Sequence, residues 1–247
     1  MKIAVYTCIT GAYDPVHVPL GVDPRVDYLL FTDQPEQSVP PWMPQPFGLP
    51  RLDAKDRSRY PKICPHRIPA LAGYDLTIYV DGSIAIVGDI MEFAGGCLNR
   101  SGEFFAFEHL FRDCIYDEAS ECALLGHAGI FRIAGQMRRY RRSGYPPKAG
   151  LFEASVLVRR RSPAVDRAMD LWWAEYRDGA KRDQLSLTYA AWRSGLAIAS
   201  LGASDPRVHH RYFRLEAHRA SSESALTRFW RRFNRLALRW RWLDPRR

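Results

Sequence analysis

Apolar runs rich in β-branched and aromatic residues recur along the chain, and several of them stop at glycine or aspartate. Runs of this kind predict buried strands. The predicted strands are Lys2–Ile9, Asp27–Thr32, Leu76–Val80, Ser101–Phe107, Phe152–Val158 and Leu196–Leu201. Residues 35–50 contain six prolines and show little periodicity, so they predict a loop.

Helical spacing appears between these runs. Ser162 followed by Pro163 is a typical helix start, and apolar residues then recur every three or four positions until Gly179. A second amphipathic helix is predicted over Asp183–Ser194, before Gly195. The other stretches of helical or basic character are Asp53–Arg67, Arg112–Leu125 and Gln136–Arg142. Strands that alternate with helices predict a single α/β domain with a mixed, mostly parallel central sheet flanked by helices.

Composition places the chain among globular proteins. Hydrophobic residues make up 47% and charged residues 26% of the 247 residues, which excludes a disordered, collagen-like or coiled-coil chain. Five cysteines, an odd number with no CxxC spacing, argue against a disulfide framework or a structural zinc site. The N-terminal apolar stretch runs into Gly11 and Asp14, and no window approaches about 18 uncharged apolar residues. A cytoplasmic protein is therefore expected.

The positive charge is concentrated at the C-terminus. The formal net charge is +9, which suggests an anionic partner, but residues 225–247 hold eight arginines and one acid and so carry +7 of it. The first 224 residues keep only +2. That distribution argues against nucleic acid as the partner, as does the lack of an aromatic-rich RNA-binding motif. We predict one domain over residues 1–220 and a basic helical extension over 221–247.

The extension has the pattern of an amphipathic helix. At about 100° per residue, its apolar residues fall in an arc of roughly 120° and its arginines lie opposite. The two sets are Leu226, Phe229, Trp230, Phe233, Leu236, Ala237 and Trp240 against Arg228, Arg231, Arg232, Arg235 and Arg239. A basic helix with aromatic residues is typical of a peripheral anchor on an anionic membrane, here the inner membrane face. The alternative is a terminal helix packed on the domain's own core.

Three polar clusters follow predicted strands or open a predicted helix. Ligands of open α/β sheets bind at the carboxyl ends of strands, which makes these clusters the candidate site. They are Thr10-Gly11-Ala12-Tyr13-Asp14, Asp81-Gly82-Ser83 and Arg182-Asp183-Gln184. Tyr13 can stack on a base, Asp14 can hold a ribose hydroxyl, and Asp81 can carry a divalent cation beside a diphosphate. Each cluster also has a plain alternative as a turn or a helix cap.

A basic stretch and a histidine pair add to these candidates. The stretch can neutralise a pyrophosphate leaving group, or it can be a solvated helix face. Its members are Lys55, Arg57, Arg59, Lys62, His66 and Arg67. His209, beside His210, can serve as a metal ligand, although paired surface histidines are common. No GxSxG, HExxH, Walker or GxGxxG motif occurs, which argues against serine hydrolases, zincins, P-loop proteins and dinucleotide-binding folds.

These clusters sit in longer motifs that resemble a glycosyltransferase-like family of bacterial polysaccharide loci and plant secretory-pathway proteins. The matching stretches are YTCITGAYD (6–14), DYLLFTD (27–33), RYPKICPHRI (59–68), YDLTIYVDGSI (74–84), AFEHLFRDCIYDEASEC (106–122), GLFEASVLVRRRSP (150–163) and WWAEYRDGAKRDQLSLTYAAW (172–192). The resemblance runs from residue 1 to about 195. More distantly, the chain is similar to glycosyltransferase family eight, which implies the GT-A fold and a nucleotide-sugar donor.

The resemblance implies roles for individual residues. Those implied to bind the nucleotide or the donor diphosphate are Thr10, Tyr13, Asp14, Lys62, His66, Asp81, Ser83, Arg112 and Arg182. Asp183 and Gln184 match the catalytic motif at the sugar end. His109, Tyr116 and Glu118 belong, with Arg112, to a motif of the family for which the resemblance implies no role.

The acidic motif departs from the usual pattern. It normally has two carboxylates, whereas the second position here is Ser83. One carboxylate binds a hard cation weakly, so the implied cofactor, Mn²⁺ or Mg²⁺ at Asp81, needs a further ligand such as His209.

The sequence therefore predicts a glycosyltransferase that moves a sugar from a UDP- or GDP-sugar to a glycan or glycolipid acceptor in polysaccharide biosynthesis. Asp183 would deprotonate the acceptor in an inverting enzyme, or would position the sugar or steady its oxocarbenium-like state in a retaining one. The alternatives are a non-catalytic nucleotide- or carbohydrate-binding protein, favoured by Ser83, and a nucleic-acid-binding protein, suggested by charge alone.

Overall fold

The structure is a computed structural model that describes residues 1–11, 13–45, 52–216, 225–239 and 243–246. The strands in these ranges are β1 (Ile3–Ile9), β2 (Val26–Thr32), β3 (Met43–Gln45), β4 (Leu76–Val80), β5 (Ile84–Ile86), β6 (Phe104–Glu108), β7 (Phe152–Arg160), β8 (Ile198–Ala203) and β9 (Phe213–Leu215). The α-helices are α1 (Ala54–Ile63), α2 (Ile90–Leu98), α3 (Ile115–Leu124), α4 (Ile130–Arg142), α5 (Pro163–Asp178), α6 (Gln184–Ser194) and α7 (Ala225–Ala237).

Seven strands form one sheet in the order β3-β2-β1-β4-β7-β6-β8. β7 runs antiparallel to both of its neighbours, β4 and β6, while the other pairs in this sheet are parallel. Strands β5 and β9 form a small antiparallel pair beside it. The α/β class with a mixed, mostly parallel sheet is thereby confirmed, and the arrangement is consistent with a GT-A-like fold.

The sheet is buried on both faces, which explains why its central strands read as continuous apolar runs. Every residue of β1 and β4 is buried. One face packs against α2, with Ile90 and Phe93 in its core, and the other packs against α5 and α6, with Met169 and Trp172 fully buried. A third apolar cluster joins α3, α4, α6 and α7.

Local signals set most of the predicted elements. Ser162 caps α5 by accepting a hydrogen bond from Val165 N, and Gly195 ends α6 in the left-handed conformation at φ 74°. The loop prediction over 35–50 is wrong at β3, a short edge strand that accommodates Pro44; residues 46–50 lie outside the described ranges. Helix α2 escaped prediction because Gly95 and Gly96 interrupt its helical pattern.

The C-terminal helix α7 packs on α3 and α4 through a polar anchor. Asn234 is fully buried; its Nδ2 donates to the carbonyls of Ala123 (2.9 Å) and Ala128 (2.8 Å), and its Oδ1 accepts from Ile130 N (3.0 Å). Part of the apolar arc remains in solvent. Its exposed members are Leu226 (63%), Phe229 (56%) and Leu236 (61%).

In the structure the C-terminal helix therefore packs on the domain, as in the second of the two predicted alternatives, and part of its apolar face remains exposed to solvent. The predicted boundary at residue 220 and the side chains of Trp240 and Trp242 fall outside the described residues. None of the described helices is both long and apolar enough to cross a membrane.

Candidate functional site

A polar cleft of about 870 Å³ opens at the carboxyl ends of β1 and β4, between α1 and the start of α6. Its size is typical of a small-molecule site. Most of the predicted site residues line it, from four separate parts of the chain. They are Thr10, Tyr13, Asp14, Lys62, Asp81, Ser83, Arg182, Asp183 and Gln184.

Two glycines set the backbone at the ends of β1 and β4. Gly11 has φ 63°, a conformation that glycine adopts without strain, and its N–H donates to Asp33 Oδ1 (2.9 Å), which ties the ends of β1 and β2 together. A Cβ on Gly82 would stand 2.9 Å from the Ile9 side chain and 3.1 Å from Asp14 Oδ2. Glycine at position 82 thus lets the turn after β4 lie directly against the segment after β1.

Lys62 forms the electrostatic centre of the cleft wall. Its side chain is 2% exposed, and Nζ lies 3.1 Å from both carboxylate oxygens of Asp81 and 2.5 Å from Asp183 Oδ2. Tyr79 Oη also donates to Asp81 Oδ1 (2.7 Å). One ammonium group therefore bridges the acid at the end of β4 and the acid at the start of α6.

A buried arginine fixes the backbone at Lys62. The Lys62 carbonyl belongs to the last turn of α1, where helices leave carbonyls without an intrahelical partner. Arg159 Nη2 from β7 donates to that carbonyl (2.7 Å), and Nη1 donates to Tyr6 Oη (3.1 Å). Arg159 is 2% exposed, so this bond is shielded from water and holds Lys62 against the sheet.

Asp183 is the N-cap of α6 and is 7% exposed. Its carboxylate accepts from Gln184 N (3.1 Å), and its carbonyl accepts from Trp172 Nε1 (2.9 Å). Burial raises the pKa of the Asp183 carboxyl, but the positive charges of Lys62, Arg59 and Arg182 outweigh it and hold that pKa well below its usual range. Asp183 is therefore ionised at working pH and is a weak proton acceptor.

The loop before Asp183 is tied to the start of α1. Lys181 has φ 52°, an uncommon conformation for a residue with a side chain. Its Nζ lies 2.8 Å from Asp53 Oδ2 and 2.9 Å from Asp56 Oδ2. Asp56 is 1% exposed and also accepts from Tyr176 Oη (3.2 Å). This partly buried network ties residues 181–183 to α1.

Positive charge exceeds negative charge on the α1 side of the cleft. Arg59 Nε lies 3.5 Å from Asp183 Oδ2, whereas Lys55 and Arg182 have no carboxylate within 4.0 Å in the described part of the chain. Removal from water, together with the charges of Arg182 and Arg59, lowers the pKa of Lys55. Among the described residues, Arg182 Nε is buried without a hydrogen-bond partner. Such a surplus of cations suits an anionic ligand.

Three predicted residues lie outside the cleft. His66 follows Pro65, which turns the chain away, and its Nε2 lies 2.6 Å from Asp170 Oδ1 beside a separate small cavity. Arg112 Nε donates to Glu118 Oε2 (2.7 Å). His209 is exposed in the turn before β9.

Sequence reasoning gave no role to three further lining residues, His109, Glu153 and Arg207. His109 Nδ1 accepts from the N–H groups of Phe111 (3.2 Å) and Arg112 (3.1 Å). Burial lowers the pKa of the His109 imidazole, which leaves it neutral at pH 7. Glu153 accepts hydrogen bonds from Ser204 Oγ (2.8 Å) and Arg207 Nε (2.9 Å). The sequence could have indicated Glu153, because it is a charged residue within an otherwise apolar predicted strand.

The donor set at Asp81 does not fit the divalent cation that the resemblance implies. Both Asp81 oxygens face the Lys62 ammonium, and within the described ranges no three His, Cys, Asp or Glu side chains group to hold a metal ion. A divalent cation at this point would have to displace the Lys62 ammonium from both oxygens of Asp81. Lys62 thus already supplies positive charge at this point.

The α/β sheet with this polar cleft at its carboxyl edge is consistent with a GT-A-like fold. A family model described as TOD1/MUCI70, glycosyltransferase-like domain, matches residues 48–205, well over half of the chain. The chain belongs to this family. The match includes α1, the end of β4 and the start of α6, and so contains Lys62, Asp81 and Asp183. No curated protein matches the sequence.

Proposed function

We propose that the protein transfers a sugar from a UDP- or GDP-sugar to a saccharide or glycolipid acceptor, as a step of polysaccharide biosynthesis. The observation that carries this proposal is the cation cluster of the cleft, Lys55, Arg59, Lys62 and Arg182, set beside a buried, ionised Asp183. A departing nucleoside diphosphate gains negative charge in the transition state, and preorganised cations stabilise that charge.

In the proposed reaction, the bond between the anomeric carbon and the diphosphate oxygen breaks, and its electron pair leaves with the diphosphate. The acceptor hydroxyl oxygen forms the new bond to the anomeric carbon, and its proton passes to the departing diphosphate. Because the pKa of Asp183 is held low, we assign it the second of its two predicted roles. Its fixed negative charge steadies the positive charge that develops on the sugar ring.

The first prediction is that a nucleoside diphosphate binds the cleft. Calorimetry with UDP, GDP and CDP and with their sugars should give a dissociation constant below about 1 mM for one nucleotide. The matching nucleotide sugar should then be hydrolysed slowly in the absence of acceptor. Binding without hydrolysis or transfer would favour the non-catalytic alternative. Salt-sensitive RNA binding with no nucleotide binding would contradict the proposal.

We further propose that the exposed part of α7 contacts an anionic membrane, which would place the enzyme beside a glycolipid acceptor. Leu226, Phe229 and Leu236 are all more than half exposed. The helix also carries the exposed Arg232 and Arg235, and the exposed Arg239 follows its end. Apolar insertion and attraction to anionic headgroups together give interfacial binding.

The second prediction is that changing Leu226, Phe229 and Leu236 together to serine lowers binding to vesicles containing phosphatidylglycerol by about tenfold or more. Removal of residues 221–247 is a poorer test, since it uncovers the α3 and α4 surface buried by Asn234 and Ala237. The matched control changes three exposed apolar residues elsewhere, Val18, Leu20 and Val22, to serine. Failure of the unaltered protein to sediment with such vesicles would show the proposal to be wrong.

A further inference from the structure

We infer that Lys62 stands in for the divalent cation, so that this chain binds the diphosphate of its donor without a metal ion. The inference rests on the proposed function and adds how the diphosphate is held. In a metal-dependent site, the cation bridges carboxylates and phosphate oxygens. Here a covalently attached ammonium bridges the carboxylates of Asp81 and Asp183, at 3.1 and 2.5 Å.

The position of Lys62 is built into the fold. It lies on α1, one residue before the helix ends at Ile63, and its carbonyl is held by the buried Arg159. With 2% exposure, the ammonium cannot swing out to solvent while Asp81 and Asp183 remain in place. Lys62 is therefore a positioning residue: it offsets one of the two carboxylate charges that would otherwise repel a diphosphate.

Three further cations of the cleft are left to contact the diphosphate. Lys55 and Arg182 line the same cleft and have no carboxylate within 4.0 Å among the described residues. Arg59 is one-third exposed beside Asp183. A guanidinium fork and a flexible ammonium both bind phosphate oxygens with charge-assisted hydrogen bonds. Positive charge thus reaches the diphosphate from side chains instead of from an ion.

The third prediction tests metal independence directly. With the nucleotide that binds best, affinity in EDTA and affinity in excess Mn²⁺ should agree within about twofold. Mn²⁺ alone should leave the melting temperature of the unaltered protein unchanged. The double variant Lys55→Gln, Arg182→Gln should bind that nucleotide about tenfold or more weakly. Arg167→Gln, an exposed arginine on α5 outside the cleft, is the control and should retain full affinity.

A second variant separates this role of Lys62 from a merely structural one. Lys62→Met leaves Asp81 and Asp183 facing an empty position, so Mn²⁺ should now raise its melting temperature. A folded Lys62→Met protein with no response to Mn²⁺ would overturn the inference. If Lys62→Met does not fold, two measurements of the preceding paragraph decide the question. They are the nucleotide affinity of the unaltered protein in EDTA and in Mn²⁺, and the affinity of the double variant Lys55→Gln, Arg182→Gln.

The outcomes keep the two proposals apart. An affinity that rises about tenfold or more with Mn²⁺ and is lost in EDTA overturns the inference and leaves the glycosyltransferase proposal standing. A complete lack of nucleotide binding, with or without Mn²⁺, overturns the proposed function, and Mn²⁺ titration of the protein alone still tests the metal site.

Discussion

Replacing Asp183 with asparagine is expected to reduce sugar transfer by about 10²–10³-fold, the loss typical of removing one fixed electrostatic group from a transition state. The reason is local. Asparagine has the same size, and its side-chain oxygen can still accept the Gln184 N–H that the carboxylate accepts now. The negative charge beside Lys62 and Arg59 is lost. The expected defect is therefore in turnover and not in folding.

Nucleotide affinity should be retained in the same variant, or should rise, because removing a carboxylate leaves more net positive charge for the diphosphate. Initial rates of transfer and calorimetric titration with the nucleotide, on one preparation, measure both quantities. Asp170→Asn is the matched control, since Asp170 pairs with His66 and Arg67 away from the cleft. An equal loss of binding and turnover would mean that Asp183 holds the nucleotide and not the reacting sugar.

Trp172→Ala is expected to lower the free energy of unfolding by about 3–5 kcal/mol. Trp172 is 0% exposed in the core between α5 and the sheet, so truncation leaves a large cavity. It also removes the donor to the Asp183 carbonyl. Chemical denaturation monitored by circular dichroism measures the change. A loss below about 1 kcal/mol would show that this core repacks around the missing ring.

Two companion variants separate packing from hydrogen bonding. Trp172→Phe keeps most of the ring but loses the Nε1–H bond to Asp183, so it should cost about 1–2 kcal/mol and should reduce turnover by loosening the N-cap of α6. Trp192→Ala, on the exposed side of α6 at 40% exposure, is the matched control and should cost about 1 kcal/mol.

The sequence predicts those parts of the fold that depend on neighbouring residues. Strands β1 and β4 are buried on both faces, so the sequence shows them as continuous apolar runs. The helix caps at Ser162 and Asp183 can be recognised in the sequence because helices commonly start with short polar side chains. The polar clusters that follow β1 and β4 lie together in one cleft, because the carboxyl ends of parallel strands share one edge of the sheet. Helix α2 and strand β3 lacked such signals.

What escaped prediction depends on contacts between distant segments. Lys62 and Asp183 are 121 positions apart, and nothing in either motif reveals that one ammonium will lie between Asp183 and Asp81. His66, only four residues after Lys62, points elsewhere because Pro65 turns the chain. The sequence also did not indicate that α7 packs on the domain through Asn234, because the helical pattern of α7 predicts that apolar residues form the packed face.

Because β7 runs antiparallel to its neighbours, the opposite end of this strand reaches the cleft. Parallel strands bring only their ends to the cleft, whereas β7 brings its beginning, and Glu153, Ala154 and Ser155 line the site from there. The connection over residues 143–151 therefore opens onto the same rim as the segments after β1 and β4. Insertions in that connection would reshape the β7 side of the cleft without shifting the register of any strand, while the side formed by the ends of β1 and β4 stays unchanged.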